Sequence, residues 1–181
     1  MPRFNPSHSV DEIGQLRSLI RERGVLHTYR RGDYFCHAGE PCAKIGLLKS
    51  GYFKYCLPSG AVTGLTFEED FVVDFSAAVQ NTPASTDIIA GYTSDILVLP
   101  ATAIDQVQGF VQTAWPILFD ALYKRFLDGY RYTPEERYAI LLREHPDVIQ
   151  RAPLRDIASF LRITPVHLSR IRRKLVQSQI E

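Results

Sequence analysis

Between residues 10 and 22 apolar positions recur every three or four residues, at Val10, Ile13, Leu16, Leu19 and Ile20, the spacing of one helix face. From Val25 to Pro100 the character changes. Short runs such as KIGLLK, YFKYCL, VTGLTF, DFVVDF, DIIAGY and DILVLP are rich in β-branched and aromatic residues, and RGD, AGEP, KSG, PSG and NTPAS separate them. Those separators carry the residues that turns require. Many short strands divided by glycine turns predict a small antiparallel barrel or jelly roll.

From Ala101 to Tyr132 the pattern is helical again, broken near Gly109 and continued through AWPILFDALYKRFLDGYRY. Trp115, Leu118, Phe119, Leu122, Tyr123, Phe126, Leu127 and Tyr130 cover more than one face of that helix. It is either buried within the monomer or paired with its symmetry mate. Twofold dimers dominate homo-oligomers, and charges on this helix are few, so a seam through Leu118, Phe119, Leu122, Phe126 and Tyr130 of a helix spanning about 110–131 is expected. Thr133-Pro134-Glu135-Glu136 is a helix start, with a cap, a proline at the first position and acids in the first turn. That helix spans 134–144, and further helices begin around Pro153 and Pro165. Near Tyr132 the barrel and long helix, 1–132, give way to a helical piece, 133–181.

The stretch PLRDIASFLRITPVHLSRIRRKL, 153–175, holds two short helical stripes. Leu154, Ile157, Ala158 and Leu161 share a face of the first helix, with Ala158 small where two helices must cross. Ile163 lies in the turn, Thr164 can cap the second helix, and Pro165 fits its first position. Leu168, Ile171 and Leu175 form the second buried stripe. The arrangement is that of a support helix, a tight turn and a second helix held by its apolar face, as in a helix-turn-helix. Val166, Ser169, Arg170 and Arg173 occupy the opposite face, flanked by His167, Arg172 and Lys174. Arg170 is the candidate for a base contact, since a guanidinium grips guanine O6 and N7 together. Val166 suits a thymine methyl. Thr164, Pro165, His167, Ser169, Arg172, Arg173 and Lys174 complete the candidate DNA-contacting set, the polar members at phosphates. The competing reading is a helical hairpin with a cationic exterior.

Charge sharpens this picture. The whole chain carries +1, yet residues 151–181 hold seven basic residues against two acidic ones, a net +5, which leaves −4 on the other 150. Such asymmetry suits a polyanionic partner, although charged terminal helices are often merely solvated. No apolar run approaches the ~20 residues of a membrane helix, and MPRFNPSHSVDEIGQ lacks the apolar stretch of a signal peptide. Cys36, Cys42 and Cys56 match no common metal-ligand spacing. A reduced cytoplasmic protein without a metal is expected.

The run DIASFLRITPVHLSRIRRKL resembles the helix-turn-helix of Crp/Fnr-type bacterial transcription regulators, with one departure. The turn of that family usually carries glycine where Arg162 stands, and a left-handed backbone is costly for arginine. The resemblance also implies a β-hairpin wing after the second helix, for which little chain follows here. Upstream, YRRGDYFCHAGEPCAKIGLLKSGYFKY is similar to the first half of a cyclic-nucleotide-binding β-roll, with Gly32, Gly39 and Gly51 at its turns. The implied fold class is α+β: an N-terminal antiparallel β-roll acting as sensor, a long dimerisation helix, and a small all-α helix-turn-helix domain.

The segment DFVVDFSAAVQNTPASTDIIA takes the place of the phosphate-binding cassette of that family. The resemblance puts Val73 and Asp74 where nucleotide binders have a glycine-glutamate pair for ribose. It puts Ala84, followed by Ser85 and Thr86, where they have the phosphate-binding arginine. Without that cation a buried phosphate is poorly compensated, so cyclic AMP or GMP is not expected to bind in the usual way, and any effector of this pocket is another small molecule. His27 and His37 read as strand and turn residues. Two isolated histidines cannot supply a cupin-type metal site, and no nucleophile–base pair is evident, so an enzyme is not expected. The expected function is a dimeric regulator that binds a near-palindromic duplex. The rival is a small-molecule module whose helical tail serves protein contacts.

Overall fold

The computed structural model describes residues 11–177, except for the side chains of Asp11, Trp115, Leu118, Arg125, Asp147, Val148 and Val176. Val10 and the Leu118 side chain, both used above, lie outside the described residues. Helix α1 (Asp11–Arg23) buries Ile13, Leu16 and Ile20 against Ile45, Leu47, Phe110 and Ala114. Gln15, Ser18, Arg21 and Glu22 face outward, as the three-and-four spacing demands, whereas Arg17 is buried with its guanidinium 5.6 Å from the centre of the Phe71 ring.

Eight strands follow: β1 (Val25–Tyr29), β2 (Tyr34–Cys36), β3 (Lys44–Ser50), β4 (Phe53–Cys56), β5 (Val62–Thr66), β6 (Phe71–Val72), β7 (Asp87–Ala90) and β8 (Ser94–Pro100). They form two antiparallel four-stranded sheets, in the orders β1-β8-β3-β6 and β2-β7-β4-β5. Phe35, Leu48, Phe53, Ile88 and Ile96 fill the space between them. Gly32, Gly39 and Gly51 all have positive φ, the conformation for which glycine is suited. Gly91 answers a different need, because a methyl group there would fall 2.0 Å from the Tyr52 ring.

The run DFVVDF is not one strand. Only Phe71 and Val72 pair with β3. Asp74 then caps helix α2 (Phe75–Gln80), its carboxylate accepting a hydrogen bond from Ala77 N at 3.1 Å. A capping carboxylate overrides the β preference of the preceding residues.

A 3-10 turn (Ala101–Gln106) leads through Gly109 into the 22-residue helix α3 (Phe110–Arg131). Helix α4 (Pro134–Glu144) starts with a complete capping box, in which Thr133 and Glu136 each satisfy the other's backbone N–H. Helix α5 (Pro146–Arg151) was not foreseen. Its proline marked an end and equally suits a first helical position. Helices α6 (Leu154–Phe160) and α7 (Pro165–Gln177) complete the described chain.

The four last helices pack on the barrel. Tyr52, Cys56, Val62, Leu65 and Phe67 share one apolar cluster with Tyr138, Leu141, Ile149, Ile157, Leu161, Leu168 and Ile171. Lys54 Nζ lies 2.9 Å from Asp156 Oδ2. Val62 N donates to Ser159 Oγ at 2.8 Å, and the rings of Phe67 and His145 stack 3.7 Å apart. Sequence patterns predicted α4, α6 and α7 but not this seat.

Candidate nucleic-acid interface

Helix α7 is held by one face and open on the other. Leu168 and Ile171 are buried, Leu175 is partly so, and all three pack in the cluster under the tail. Ala158 of α6 is fully buried at the crossing, and Ile163 N donates to its carbonyl at 2.9 Å. The opposite face is exposed through Thr164, Pro165, Val166, His167, Ser169, Arg170, Arg172, Arg173 and Lys174. Val166 is 62% exposed, unusual for a β-branched apolar side chain in a folded helix.

Thr164 and His167 have partners within the chain. Thr164 Oγ1 accepts from His167 N at 3.2 Å and so caps α7. His167 Nε2 sits 3.6 Å from Glu135 Oε1. Behind the face lies Tyr138, whose hydroxyl burial pushes up in pKa while Arg172 draws it down.

The turn between the helices resolves the Arg162 departure. Arg162 has φ +57, so it occupies the left-handed region where glycine was expected. That conformation costs an L residue about 1–2 kcal/mol. The turn keeps the shape that glycine would give it.

At the cassette the structure brings Asp74 and Ser85 together. Asp74 Oδ1 accepts from Ala77 N at 3.1 Å and Oδ2 accepts from Ser85 N at 2.9 Å. Val73 and Ala84 are buried, while Thr86 is partly exposed. The Val73 backbone is engaged as well, donating to Tyr55 Oη and accepting from it at 3.2 Å. Cys36, Cys42 and Cys56 are buried free thiols. Burial, then the neighbouring Cys42, pushes Cys36 up to about 12, which disfavours its thiolate. His27 is exposed on edge strand β1, and His37 is an exposed turn residue stacked on Tyr34 at 4.0 Å.

On α3, Phe119, Leu122, Phe126 and Tyr130 are all exposed in the monomer, with Tyr130 74% exposed. They lie at spacings of three and four, one stripe along the helix. Phe110 and Ala114 instead face the barrel. Among the described residues no helix is long and apolar enough to cross a membrane.

Residues 26–108 match the cyclic nucleotide-binding domain family. No curated relative matches the sequence. Among solved structures, FixK2 from Bradyrhizobium japonicum is similar at 16% identity and a TM-score of 0.67, with 87% of each chain covered. A candidate transcriptional regulator of the Crp/Fnr family from Eubacterium rectale gives 17% identity and a TM-score of 0.67, covering 91% of this chain and 83% of that one. The c-di-GMP responsive global regulator CLP from Xanthomonas campestris gives 14% identity and a TM-score of 0.57, with 92% of each chain covered. Residues 26–108 thus match the cyclic nucleotide-binding domain family, and the chain around them shares the fold of a solved candidate Crp/Fnr-family regulator.

Proposed function

We propose that the chain is a non-enzymatic, dimeric regulator of transcription that reads duplex DNA with α7. The observation that carries this reading is the division of α7 between a buried apolar face and an exposed face bearing Val166, Ser169, Arg170 and Arg173. A helix held in this way can enter a major groove with its N-terminal residues at base edges. Residues 1–132 act as β-roll and dimer helix, and 133–181 as the helix-turn-helix unit. Phe119, Leu122, Phe126 and Tyr130, flanking Leu118, form the seam with a second copy, which sets two reading helices about one DNA turn apart.

The β-roll serves as scaffold or as sensor for a small molecule other than a cyclic nucleotide. The Asp74 carboxylate takes the amides of Ala77 and Ser85, so a phosphate seated there would meet a like charge. Titration with cyclic AMP and cyclic GMP by calorimetry should give no saturable heat.

The deciding experiment is selection from a random duplex pool, followed by a salt titration on the winner. A near-palindromic sequence is expected, with affinity falling steeply as salt rises because phosphate contacts release counterions. No enrichment at low salt would overturn the DNA-reading assignment.

A further inference from the structure

Two guanidinium groups converge on Gly129, near the C-terminal end of α3. A methyl group at that glycine would lie 3.5 Å from Arg162 Nη1 and 4.0 Å from Arg137 Nη1. The two nitrogens are therefore no farther apart than those distances combined. One tetrahedral oxyanion spans such a gap, with charge-assisted hydrogen bonds of about 2.8 Å on either side.

Arg162 is exposed to solvent, Arg137 is buried, and neither takes part in an ion pair among the described residues. Arg137 is only 8% exposed, and its Nε is buried without a hydrogen-bond partner. The tail's ion pairs Lys54–Asp156, Arg143–Glu144, Arg155–Asp156 and His167–Glu135 include neither guanidinium. Asp128, beside Gly129 in sequence, is buried with one oxygen unpartnered, and it pairs with neither arginine. Burial first, then the charge of Arg162, disfavours the Arg137 cation.

The backbone adds a second sign. Arg162 adopts φ +57, where glycine would be unstrained. Strain, burial and like-charge repulsion all oppose this arrangement, and a bound anion would offset the last two.

We propose that Arg137 and Arg162 form a binding site for a phosphate-type oxyanion at the junction of α3 with the tail. The anion is a free phosphate or a DNA backbone phosphate. Only the second source rests on the DNA-reading assignment.

The test uses the whole chain, Arg162→Gly and Arg137→Gln. Glycine removes the turn strain, so Arg162→Gly should melt no lower than the wild type. Inorganic phosphate, against chloride at matched ionic strength, should raise the wild-type melting temperature and leave both variants at less than half that response. That result identifies a free-anion site. If phosphate has no such effect, random duplex binding decides. One lost phosphate contact lowers the slope of log affinity against log salt by about 0.9. Arg162→Gly should show that loss, and adding Arg137→Gln should lower the slope no further, since both grip one phosphate. Equal phosphate responses in all proteins together with unchanged salt slopes overturn the site. A phosphate response that depends on Arg162, in a protein without DNA affinity, upholds the site and refutes the DNA reading.

Discussion

Lys54 Nζ on β4 lies 2.9 Å from Asp156 Oδ2 on α6, and both side chains are largely buried, at 15% and 7% exposure. The pair joins residues 102 positions apart. It sits beside the Val62–Ser159 hydrogen bond, where the tail meets the β4–β5 hairpin. Removing one partner leaves a buried charge alone, whereas replacing both with apolar residues can be neutral. Asp156→Asn is expected to lower unfolding stability by about 3 kcal/mol, and Lys54→Met with Asp156→Leu to restore most of it. Urea denaturation at pH 7 measures both, and additive losses would contradict the pairing.

Tyr52 carries a hydroxyl that is buried without a hydrogen-bond partner in the cluster between barrel and tail. Burial, with the nearby Asp156 charge, pushes it up to about 12, so it is neutral at any working pH. Tyr52→Phe should therefore stabilise the chain by about 1 kcal/mol, since a desolvated hydroxyl is removed and its ring retained. A lower melting temperature would point to an unrecognised partner.

Glu69 sets part of the acid limit. Partial burial alone pushes its carboxyl up, but hydrogen bonds from Arg21 and Lys49 outweigh that and hold it below its usual 4.5. A depressed folded value gives stability that is complete above about pH 4.5 and lost as pH falls through the folded pKa. Glu69→Gln should be less stable than the wild type at pH 7 and equal to it once the wild-type carboxyl is protonated. Urea midpoints from pH 7 to pH 2 will show whether the two curves converge.

The exposed stripe on α3 predicts association. Leu122→Lys with Phe126→Lys places two charges among Phe119, Leu122, Phe126 and Tyr130, on a face with no role in the monomer core. Sedimentation should show the wild type as a dimer and the variant as a folded monomer, with its far-ultraviolet circular dichroism unchanged. A dimeric variant would move the seam elsewhere.

Arg170 is exposed in the second turn of α7. Arg170→Ala should lose about 1–3 kcal/mol at the selected duplex and much less on random DNA. Equal losses on both would make it a phosphate contact.

Local pattern carried most of the element list. Short β-branched and aromatic runs between glycine turns predicted the barrel, and apolar spacing with Thr133 and Thr164 as caps predicted α4 and α7. The long helix begins and ends where its periodicity does, at Phe110 and Arg131. These features are written locally because hydrogen bonding within a helix and alternation along a strand depend on near neighbours. The short α5 and the truncation of DFVVDF escaped, since Pro146 and Asp74 can each end one element or begin another.

The sequence by itself determined most of the strands and helices, which face of α7 is apolar, and that Arg162 stands where a turn favours glycine. Only the tertiary structure decided that the tail rests on β4 and β5, that Lys54 meets Asp156, that Asp74 takes the amides of its own cassette, and that Arg137 and Arg162 converge on Gly129. The physical reason is range. Periodicity and capping act over a few residues, whereas these contacts join groups brought together only when buried apolar surfaces close on one another.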